Sequence, residues 1–393
     1  MTTPAHAEND IAIVGAGAVG LAAAIALAQA GRRVTLFGAT VAPNDGRTIA
    51  LLDGSWRLLA SLGLTEALDA VASPLAVMRM VDDTGSLFRQ PPVEFKAGEL
   101  GLAAFGWNVE NTALVGVLAA RAEAEPNIRM IASPVTGLEP TPEGVRLSGE
   151  GFASFVARLV VAADGRRSRV RETAGITTRD WAYPQVALTT ILSHARDHRD
   201  ASTEFHTRSG PCTLVPMRGG RSSLVWLVDP AEADRLSALD DDAFAHAVER
   251  RTHSILGALR IAGPRGRVPM GGLSVDRFAA GRIALVGESA HVFPPIGAQG
   301  LNLGLRDVAA LRDAVAGSAD PGAAEAMDRY DRSRRNDVRL RTGAVDALNR
   351  TLLTDLLPAD FLRGAGLLAL SRLGPLRRLV MRQGLAGGMA AAS

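Results

Sequence analysis

A run without a charged side chain, from Ile11 to Gly31, constrains the fold of this chain more than any other feature. The sequence around it, DIAIVGAGAVGLAAAIALAQAGRRVTLF, predicts a strand, a glycine turn, an Ala/Leu-rich helix and a second strand. Its hydropathy also fits a membrane helix or a signal peptide. However, the residues before it are acidic where a signal peptide needs positive charge, and its glycines would break a spanning helix near the start. We therefore predict a buried βαβ unit.

Three glycines of this unit, Gly15, Gly17 and Gly20, have the spacing G-x-G-x-x-G between strand and helix. The first makes the tight turn, the second lets the backbone approach a pyrophosphate, and the third allows close helix–strand packing. The helix N-terminus then faces the phosphates. The carboxylate that usually binds the adenosine ribose is replaced by Gly38, so we expect another group, such as a backbone carbonyl or Asp45, to hold the ribose.

Two later segments repeat the pattern of an apolar strand followed by glycine and a carboxylate. LVVAADGRRSRVRETAG predicts a strand, the turn Asp164-Gly165 and an arginine-rich helix. GRIALVGESAHVFPPIGAQGLNLGLRDVAAL predicts a strand, then Gly287-Glu288, a glycine-rich loop and a helix from about Leu301. Each turn alone is common, but together they indicate one large ligand held at helix N-termini.

The composition excludes several other classes of protein. Apolar residues make up 47%, as in a globular chain, and aromatic residues only 4%, which argues against a stacking platform for nucleic acid. The single cysteine, Cys212, excludes an intrachain disulfide and a cysteine-rich metal site, and it fits a reducing cytoplasm. The i, i+4 spacing of His194 and His198 could suit a metal, but the segment is so polar that we predict exposed surface and no metal site. For His291 we predict a structural or ring-contact role.

Charge is distributed unevenly along the chain. Residues 329–393 contain 12 arginines and five aspartates, a net +7, which leaves −5 for residues 1–328 out of the total of +2. An apolar stripe and adjacent arginines in this region fit core packing or an interfacial membrane helix. The stripe consists of Phe361, Leu368, Leu376 and Leu379, and the arginines are Arg372, Arg377, Arg378 and Arg382.

The three turns together resemble the single-component aromatic hydroxylases that use FAD and NAD(P)H, the para-hydroxybenzoate hydroxylase class. Within that class, the segments DGRTIALLDGSWRLLASLGL, WNVEN and PPIGAQGLNLGLRD are most similar to the ubiquinone-biosynthesis hydroxylases, and the resemblance spans nearly the whole chain. The class usually has Gly-Asp at the third turn. Gly287-Glu288 keeps the charge and adds one methylene.

The resemblance implies cofactor-binding roles for residues at all of these positions. The loop would wrap the flavin ring with Pro295 at its reactive edge, and Asn302 could hydrogen-bond the ring. Arg47 and Asn111 match positions that touch the cofactor, although a helix-capping arginine and an ordinary polar helix residue are the alternatives. The implied FAD-binding residues are Gly15, Gly17, Gly20, Arg47, Asn111, Asp164, Gly165, Gly287, Glu288, Pro295, Gly297, Gly300 and Asn302.

The expected fold is α/β, with a doubly wound FAD-binding domain, an inserted mixed β-sheet substrate domain and a C-terminal helical region. We place the FAD-binding domain at 1–75, 108–180 and 276–328, and the substrate domain at 76–107 and 181–275. The basic helical region is 329–393. Locally, we expect a helical stretch over 44–72, a helix at Asn111–Glu123 and three strands within 128–163.

The resemblance implies an FAD-dependent monooxygenase that uses NAD(P)H and O₂ to hydroxylate a polyprenylated phenol or quinol precursor in ubiquinone biosynthesis. No catalytic acid or base is assigned. The implied location is the cytoplasmic side of the inner membrane, with an anionic membrane surface and a biosynthetic complex as partners. Two alternatives stay open: another flavin oxidoreductase on this fold, such as a polyprenyl reductase or oxidase, and a non-catalytic FAD-binding partner.

Overall fold

The computed structural model describes residues 10–40, 46–85, 91–207, 209–293 and 299–352, without the side chains of 299 and 339–352. Asp45, Pro295, Gly297 and the apolar stripe after residue 352 lie outside the described residues, so the predictions about them stay predictions. Within the described part, the predicted α/β fold class is confirmed.

A six-stranded sheet forms the centre of the first layer of the molecule. Its parallel strands follow the spatial order of a doubly wound nucleotide-binding fold, and the short strand Ala279–Ala280 adds an antiparallel edge. In order, the parallel strands are Ile128–Ile131, Val34–Phe37, Ile11–Val14, Leu159–Ala162 and Ile283–Leu285. Because Val14 pairs with Ala162 and Ala162 with Leu285, the three predicted turns begin at the ends of adjacent strands, at one edge of the sheet.

The first helix, Ala18–Gln29, explains why the run from Ile11 lacks charge. Residues 20–28 of this helix are all buried, because it packs on the sheet and against the helices Asn111–Glu123 and Gln299–Val315. A helix enclosed on all sides is apolar all round rather than amphipathic. Leu114 of the helix Asn111–Glu123 is fully buried against this same core.

A nine-stranded mixed sheet forms the second layer. Ala201–His206 and Val77–Asp82 pair in parallel, and the other neighbours are antiparallel. The strands are Val77–Asp82, Val93–Lys96, Thr178–His194, Ala201–His206, Cys212–Met217, Arg221–Val228, Leu259–Ile261, Gly266–Val275 and His291–Val292. The helices Pro230–Ser237 and Asp241–Arg251 cover one face of this sheet.

Two three-stranded sheets complete the β structure, one of Gly137–Pro140, Val145–Ser148 and Phe155–Ala157, the other of Thr48–Leu52, Ser73–Pro74 and Gly106–Glu110. The second small sheet joins the two large layers. The Thr48 and Ser223 hydroxyls lie 2.7 Å apart, and Asn108 donates from Nδ2 to the carbonyl of Pro216 at 3.0 Å. The remaining helical segments are Asp53–Ser61, Thr65–Asp69, Arg169–Thr173, and the 3₁₀ turns Ala97–Leu100 and Gly287–Ser289.

Some local expectations were correct and others were wrong. The helix Asn111–Glu123 has the predicted bounds. The stretch 44–72 is not helical throughout, because the strand Thr48–Leu52 precedes its helices and pairs with Gly106–Glu110, a partner remote in sequence. The segment 128–163 contains five strands rather than three, since the short hairpin strands within it complete a separate sheet.

The long helix Ala324–Leu352 begins as part of the core around the six-stranded sheet. Tyr330 is fully buried and donates from its hydroxyl to the carbonyl of Leu285 at 2.6 Å, and Val338 belongs to the same core. The boundary that we place at residue 329 therefore falls inside one helix. Among the described residues, no helix is both long and apolar enough to cross a membrane.

Candidate functional site

The first glycine turn has two glycines in tight contact and one facing open space. Gly15 has φ +112°, and a Cβ there would lie 2.2 Å from the carbonyl oxygen of Ala163. A Cβ at Gly20 would lie 1.9 Å from the oxygen of Gly15. Gly17 has no heavy atom within 4 Å of its ideal Cβ, and it precedes the helix without a side-chain cap. The N-terminus of this helix is therefore exposed, and its N–H groups and positive dipole end are available for an anion.

The second strand is followed by Gly38, at the position where a dinucleotide-binding fold usually has an acidic residue. Gly38 has φ +119°, and a Cβ there would lie 3.2 Å from the backbone nitrogen of Ala16. The strand therefore does not end normally at this position, because the backbone turns in a way that favours glycine. A glutamate introduced here would therefore strain the backbone and press on the first glycine turn.

The second turn contains a carboxylate oxygen that lacks a partner. Asp164 accepts a hydrogen bond at Oδ2 from the backbone N–H of Val170, at 3.3 Å. Its Oδ1 is buried and has no hydrogen-bond partner among the described residues. Gly165, with φ +81°, has open space around its ideal Cβ. Since buried polar atoms are almost always hydrogen-bonded, Oδ1 is suited to accept a hydroxyl of a bound ligand.

Two side chains that the sequence analysis missed join the second turn to the third. Arg171 is only 6% exposed, and it donates to the carbonyls of Ser289 at 2.9 Å and Arg166 at 3.0 Å. Ser289 donates to the carbonyl of Ala162 at 2.8 Å. The arginine-rich composition of the segment after Gly165 hid this residue, because its neighbours Arg166, Arg167 and Arg169 are exposed.

The third turn lies directly on the first helix. Gly287 has φ +63°, and its ideal Cβ would lie 3.1 Å from the Val19 side chain. Gly304 of the helix Gln299–Val315 faces the same valine, so the turn and two helices converge. Glu288 is exposed beside this contact, at the edge shared by the three strand ends. The turn thus presents its carboxylate outward while glycine allows the backbone packing.

Asp307, to which the sequence pattern gave no role, holds the third turn from inside. Its Oδ2 accepts from the backbone N–H of Gly287 at 2.9 Å and from Nε2 of His291 at 2.7 Å. Its Oδ1 accepts from Nε of Arg334 at 2.6 Å. Burial raises the pKa of the Asp307 carboxyl, but the charges of His291 and Arg334 and these hydrogen bonds outweigh burial and lower the pKa below its usual value. The predicted structural role of His291 agrees with this geometry.

The helix Gln299–Val315 places Asn302 differently from the expectation. Its side-chain amide donates to the carbonyl of Ala50 at 2.8 Å, and its Oδ1 accepts from the N–H of Leu52 at 2.9 Å. The side chain thus connects the helix to the strand Thr48–Leu52, and a contact with the flavin ring stays a prediction. Gly300 is exposed, with no heavy atom near its ideal Cβ.

The structure brings Arg47 and Asn111 together at one edge of the small sheet. The backbone N–H of Asn111 donates to the carbonyl of Arg47 at 3.2 Å, next to the pair Thr48 and Glu110. Arg47 is exposed, and Asn111 opens the helix Asn111–Glu123 without a side-chain cap. Their adjacency fits a shared ligand contact, which the sequence spacing alone did not show.

The histidine pair His194 and His198 is not simple exposed surface. Nδ1 of His194 lies 2.7 Å from the carbonyl of Arg196, and Nε2 of His198 lies 3.0 Å from the carbonyl of Met217. The His198 side chain is only 13% exposed. The prediction of exposed surface was therefore wrong, because both rings are used to order a connection between strands. No cluster that could hold a metal ion occurs in the part of the chain that the structure describes.

The fold and these turns define a flavoprotein of the FAD-dependent aromatic hydroxylase class. Residues 8–342 match the FAD binding domain family. The chain is 35% identical to ubiquinone hydroxylase UbiL of Rhodospirillum rubrum, over 98% of this chain and 91% of that protein. It is 31% identical to 3-demethoxyubiquinol 3-hydroxylase of Escherichia coli, over 96% and 98% of the two chains. The chain belongs to the FAD binding domain family and, within it, to the ubiquinone-biosynthesis hydroxylases.

Solved structures show the same fold at lower sequence identity. The p-nitrophenol 4-monooxygenase PnpA from Pseudomonas putida aligns with a TM-score of 0.81 at 19% identity, over 98% of this chain and 99% of that one. HpxO of Klebsiella pneumoniae, solved with FAD and uric acid, aligns with a TM-score of 0.78 at 21% identity, over 98% of both chains. FAD is the cofactor of this protein. The open space around Gly17 and the unpartnered Oδ1 of Asp164 fit FAD as a ligand.

Proposed function

We propose that the protein is an FAD-dependent monooxygenase that uses NAD(P)H and O₂ to hydroxylate a polyprenylated phenol or quinol precursor of ubiquinone. The observation that carries this proposal is the convergence of three turns at adjacent strand ends, where Gly17 faces open space and Asp164 has an unpartnered oxygen. The names of the relatives, which are hydroxylases of ubiquinone biosynthesis, supply the substrate class.

In this proposal the described residues hold the cofactor in three parts. The helix N-terminus after Gly17 binds the pyrophosphate, because its N–H groups are uncapped by a side chain. Asp164 accepts a hydroxyl of the sugar or ribityl chain, and Glu288 is placed for a second such contact. Arg47 and Asn111 contact the cofactor from the small sheet, while Gly165 and Gly300 allow close approach. When bound, FAD supplies the redox chemistry, and the protein positions it and excludes water.

The face of the nine-stranded sheet opposite the two helices supports an apolar ring as substrate. Neighbouring residues of a strand point to opposite faces, so Ala187 and Leu227 point away from the face that the helices cover. They form a separate apolar cluster with Met270. Ser223 lies on the same side, because it stands two positions before Val225 in the strand. Its hydroxyl reaches Thr48 of the FAD-binding layer. The cluster therefore lies on the side of the sheet that meets that layer.

A buried threonine adds an unpartnered polar group to this face. Thr189 lies two positions after Ala187 in the same strand, so the two side chains point to the same face. Thr189 pairs with Val225 and is 6% exposed. Its hydroxyl is buried and has no hydrogen-bond partner among the described residues. An unpaired buried hydroxyl is suited to recognise an oxygen substituent of the aromatic ring, since a substrate would satisfy it.

We also propose a peripheral location on the cytoplasmic face of the inner membrane. The region 329–393 carries +7 while residues 1–328 carry −5. A polyprenylated substrate resides in the membrane, and basic residues near an anionic surface contribute about 1 kcal/mol each. A biosynthetic complex is a further partner in this proposal.

Mass spectrometry of quinone precursors in a deletion strain tests the proposed reaction. We expect accumulation of a prenylated precursor that lacks one hydroxyl, and its conversion by purified protein with FAD, NAD(P)H and ¹⁸O₂ into a product with one labelled oxygen. A product without labelled oxygen would indicate a reductase or oxidase. A bound flavin that neither NADH nor NADPH reduces would instead indicate a non-catalytic FAD-binding partner.

A further inference from the structure

A chain of charges, buried at its inner end, connects the helix Ala324–Leu352, here called the C-terminal helix, to the third FAD turn. Arg306 and Asp337 form two hydrogen bonds of 3.0 and 2.9 Å, and Asp337 also accepts from Nη1 of Arg334 at 2.7 Å. Arg334 then donates to Asp307, which accepts from the N–H of Gly287. The charges alternate in sign along this chain, so each group has an opposite partner.

Burial makes the inner part of this chain sensitive to change. The side chains of Asp307 and His291 are fully buried, and the Arg334 side chain is 4% exposed. A buried charge without a partner is strongly unfavourable, so Asp307 and Arg334 depend on each other, and His291 adds a hydrogen bond to Asp307. The surrounding core of the six-stranded sheet is apolar, but an arginine of the helix Ala324–Leu352 is buried at this position.

The contacts of Asp307 show which part of the molecule this network controls. One carboxylate oxygen holds both the N–H of Gly287, in the third turn, and Nε2 of His291. His291 belongs to the strand His291–Val292, which pairs with Leu273 and Ser274 of the nine-stranded sheet. Asp307 therefore fixes the turn relative to both large sheets.

The bonding pattern requires a carboxylate at position 307. Gly287, His291 and Arg334 all direct an N–H toward Asp307, and a carboxylate accepts at both oxygens. An asparagine has only one acceptor oxygen, so its NH₂ group would face at least one of these N–H groups. Loss of the charge would also leave Arg334 less compensated.

We propose that Asp307 is a positioning residue for FAD, and that Arg334 of the C-terminal helix and His291 act through it to fix the Gly287-Glu288 turn. The proposal rests on FAD binding by this protein and not on the identity of its substrate. The beginning of the C-terminal helix thus has a role in cofactor binding. Its sequence position, far from the glycine turns, did not indicate this role.

The test compares Asp307→Asn with Asp331→Asn in the full-length protein. Asp331 is a suitable control, because it is also buried and accepts from the N–H of Phe278 at 2.7 Å, but it makes no contact with Gly287 that the structure shows. For Asp307→Asn we expect an FAD dissociation constant at least tenfold higher, a smaller rise in melting temperature on adding FAD, and a changed absorption spectrum of the bound flavin. For Asp331→Asn we expect a lower melting temperature, an unchanged FAD-induced rise and a dissociation constant within twofold of wild type.

A second pair of variants covers the possibility that Asp307→Asn does not fold. His291→Gln keeps an N–H donor for Asp307, and His291→Leu removes it. We expect His291→Gln to bind FAD within about threefold of wild type and His291→Leu to bind at least fivefold more weakly. Equal FAD affinity and equal flavin spectra in this pair, or in Asp307→Asn and wild type, would overturn the proposal. If the wild-type protein binds FAD but does not hydroxylate the precursor, the proposed reaction is contradicted and the proposal for Asp307 still stands.

Discussion

Arg171 donates from Nη1 to the backbone carbonyl of Ser289 across 2.9 Å, and this bond joins the second FAD turn to the third. The two residues lie 118 positions apart in sequence. Arg171 also donates to the carbonyl of Arg166 in the second turn itself. One buried guanidinium therefore contributes to the relative position of the two turns.

Replacement of Arg171 should weaken FAD binding. Hydrogen bonds to a charged group contribute about 1.5–3 kcal/mol each, so Arg171→Met should raise the FAD dissociation constant by roughly tenfold or more. The exposed Arg169 on the same short helix provides the control, and Arg169→Met should bind FAD like wild type. Fluorescence titration of FAD measures both. Equal affinities of the two variants would show that the bond does not position the turns.

Gly17 and Gly15 should respond differently to alanine. A Cβ at Gly17 meets no atom, and its φ of −77° suits any residue, so Gly17→Ala should fold normally. The added methyl would occupy the space that we assign to the pyrophosphate, and FAD affinity should fall at least tenfold. Gly15→Ala should lower stability itself, because its Cβ would overlap the carbonyl of Ala163.

Gly116→Ala is the matched control for Gly17→Ala. It also adds a methyl group without a nearby heavy atom, but inside the helix Asn111–Glu123 and outside the glycine turn. It should raise or maintain thermal stability and leave FAD affinity unchanged. Wild-type FAD affinity in Gly17→Ala would contradict the assigned pyrophosphate position.

Gly38→Glu should weaken FAD binding rather than restore the missing carboxylate contact. A residue with a side chain at φ +119° costs about 1–3 kcal/mol, and its Cβ would press on the N–H of Ala16 in the first glycine turn. Gly31 also has positive φ but open space, so Gly31→Ala should reduce stability without changing FAD affinity. Thermal melts with and without FAD separate the two effects. Tighter FAD binding by Gly38→Glu would contradict this interpretation.

Thr189→Val should reduce substrate affinity without reducing stability. The hydroxyl is buried and unpartnered among the described residues, so its removal should leave the melting temperature equal or higher. If it recognises the ring, KM for the phenol should rise by about three- to tenfold, as expected for a net hydrogen bond of about 0.5–1.5 kcal/mol.

Thr190→Val is the control for Thr189→Val. The Thr190 hydroxyl already donates to the carbonyl of Gly263 at 3.1 Å, so this variant should lose stability and keep its KM. Steady-state kinetics at saturating FAD and NAD(P)H measure both variants. An unchanged KM in Thr189→Val would remove this residue from the proposed substrate site.

Truncation after Pro358 should separate membrane binding from cofactor binding. The described core contacts of the C-terminal helix extend to Val338, so the shortened chain retains them and should bind FAD. It loses five arginines and one aspartate, and should sediment less with anionic vesicles than the full chain does. High salt should largely release the full chain. Insoluble or flavin-free truncated protein would indicate that the tail completes the core instead.

The sequence by itself determined the chemistry of the strand ends and the class of the fold. The G-x-G-x-x-G spacing, Asp164-Gly165 and Gly287-Glu288 are local patterns, because a glycine turn between a strand and a helix depends on neighbouring residues. The helix Asn111–Glu123 was predictable for the same reason, since its apolar periodicity lies within one segment.

Only the tertiary structure decided which polar side chains support those turns. Arg171, Asp307 and Arg334 look like ordinary charged residues of an arginine-rich chain, and their partners lie between 20 and 118 positions away. The strand Thr48–Leu52 likewise depends on pairing with a remote segment, which overrode the helical pattern around it. The unusual backbone at Gly38 also follows from its contact with the first turn. Burial and long-range hydrogen bonding arise only when distant segments pack together, so no local pattern encodes them.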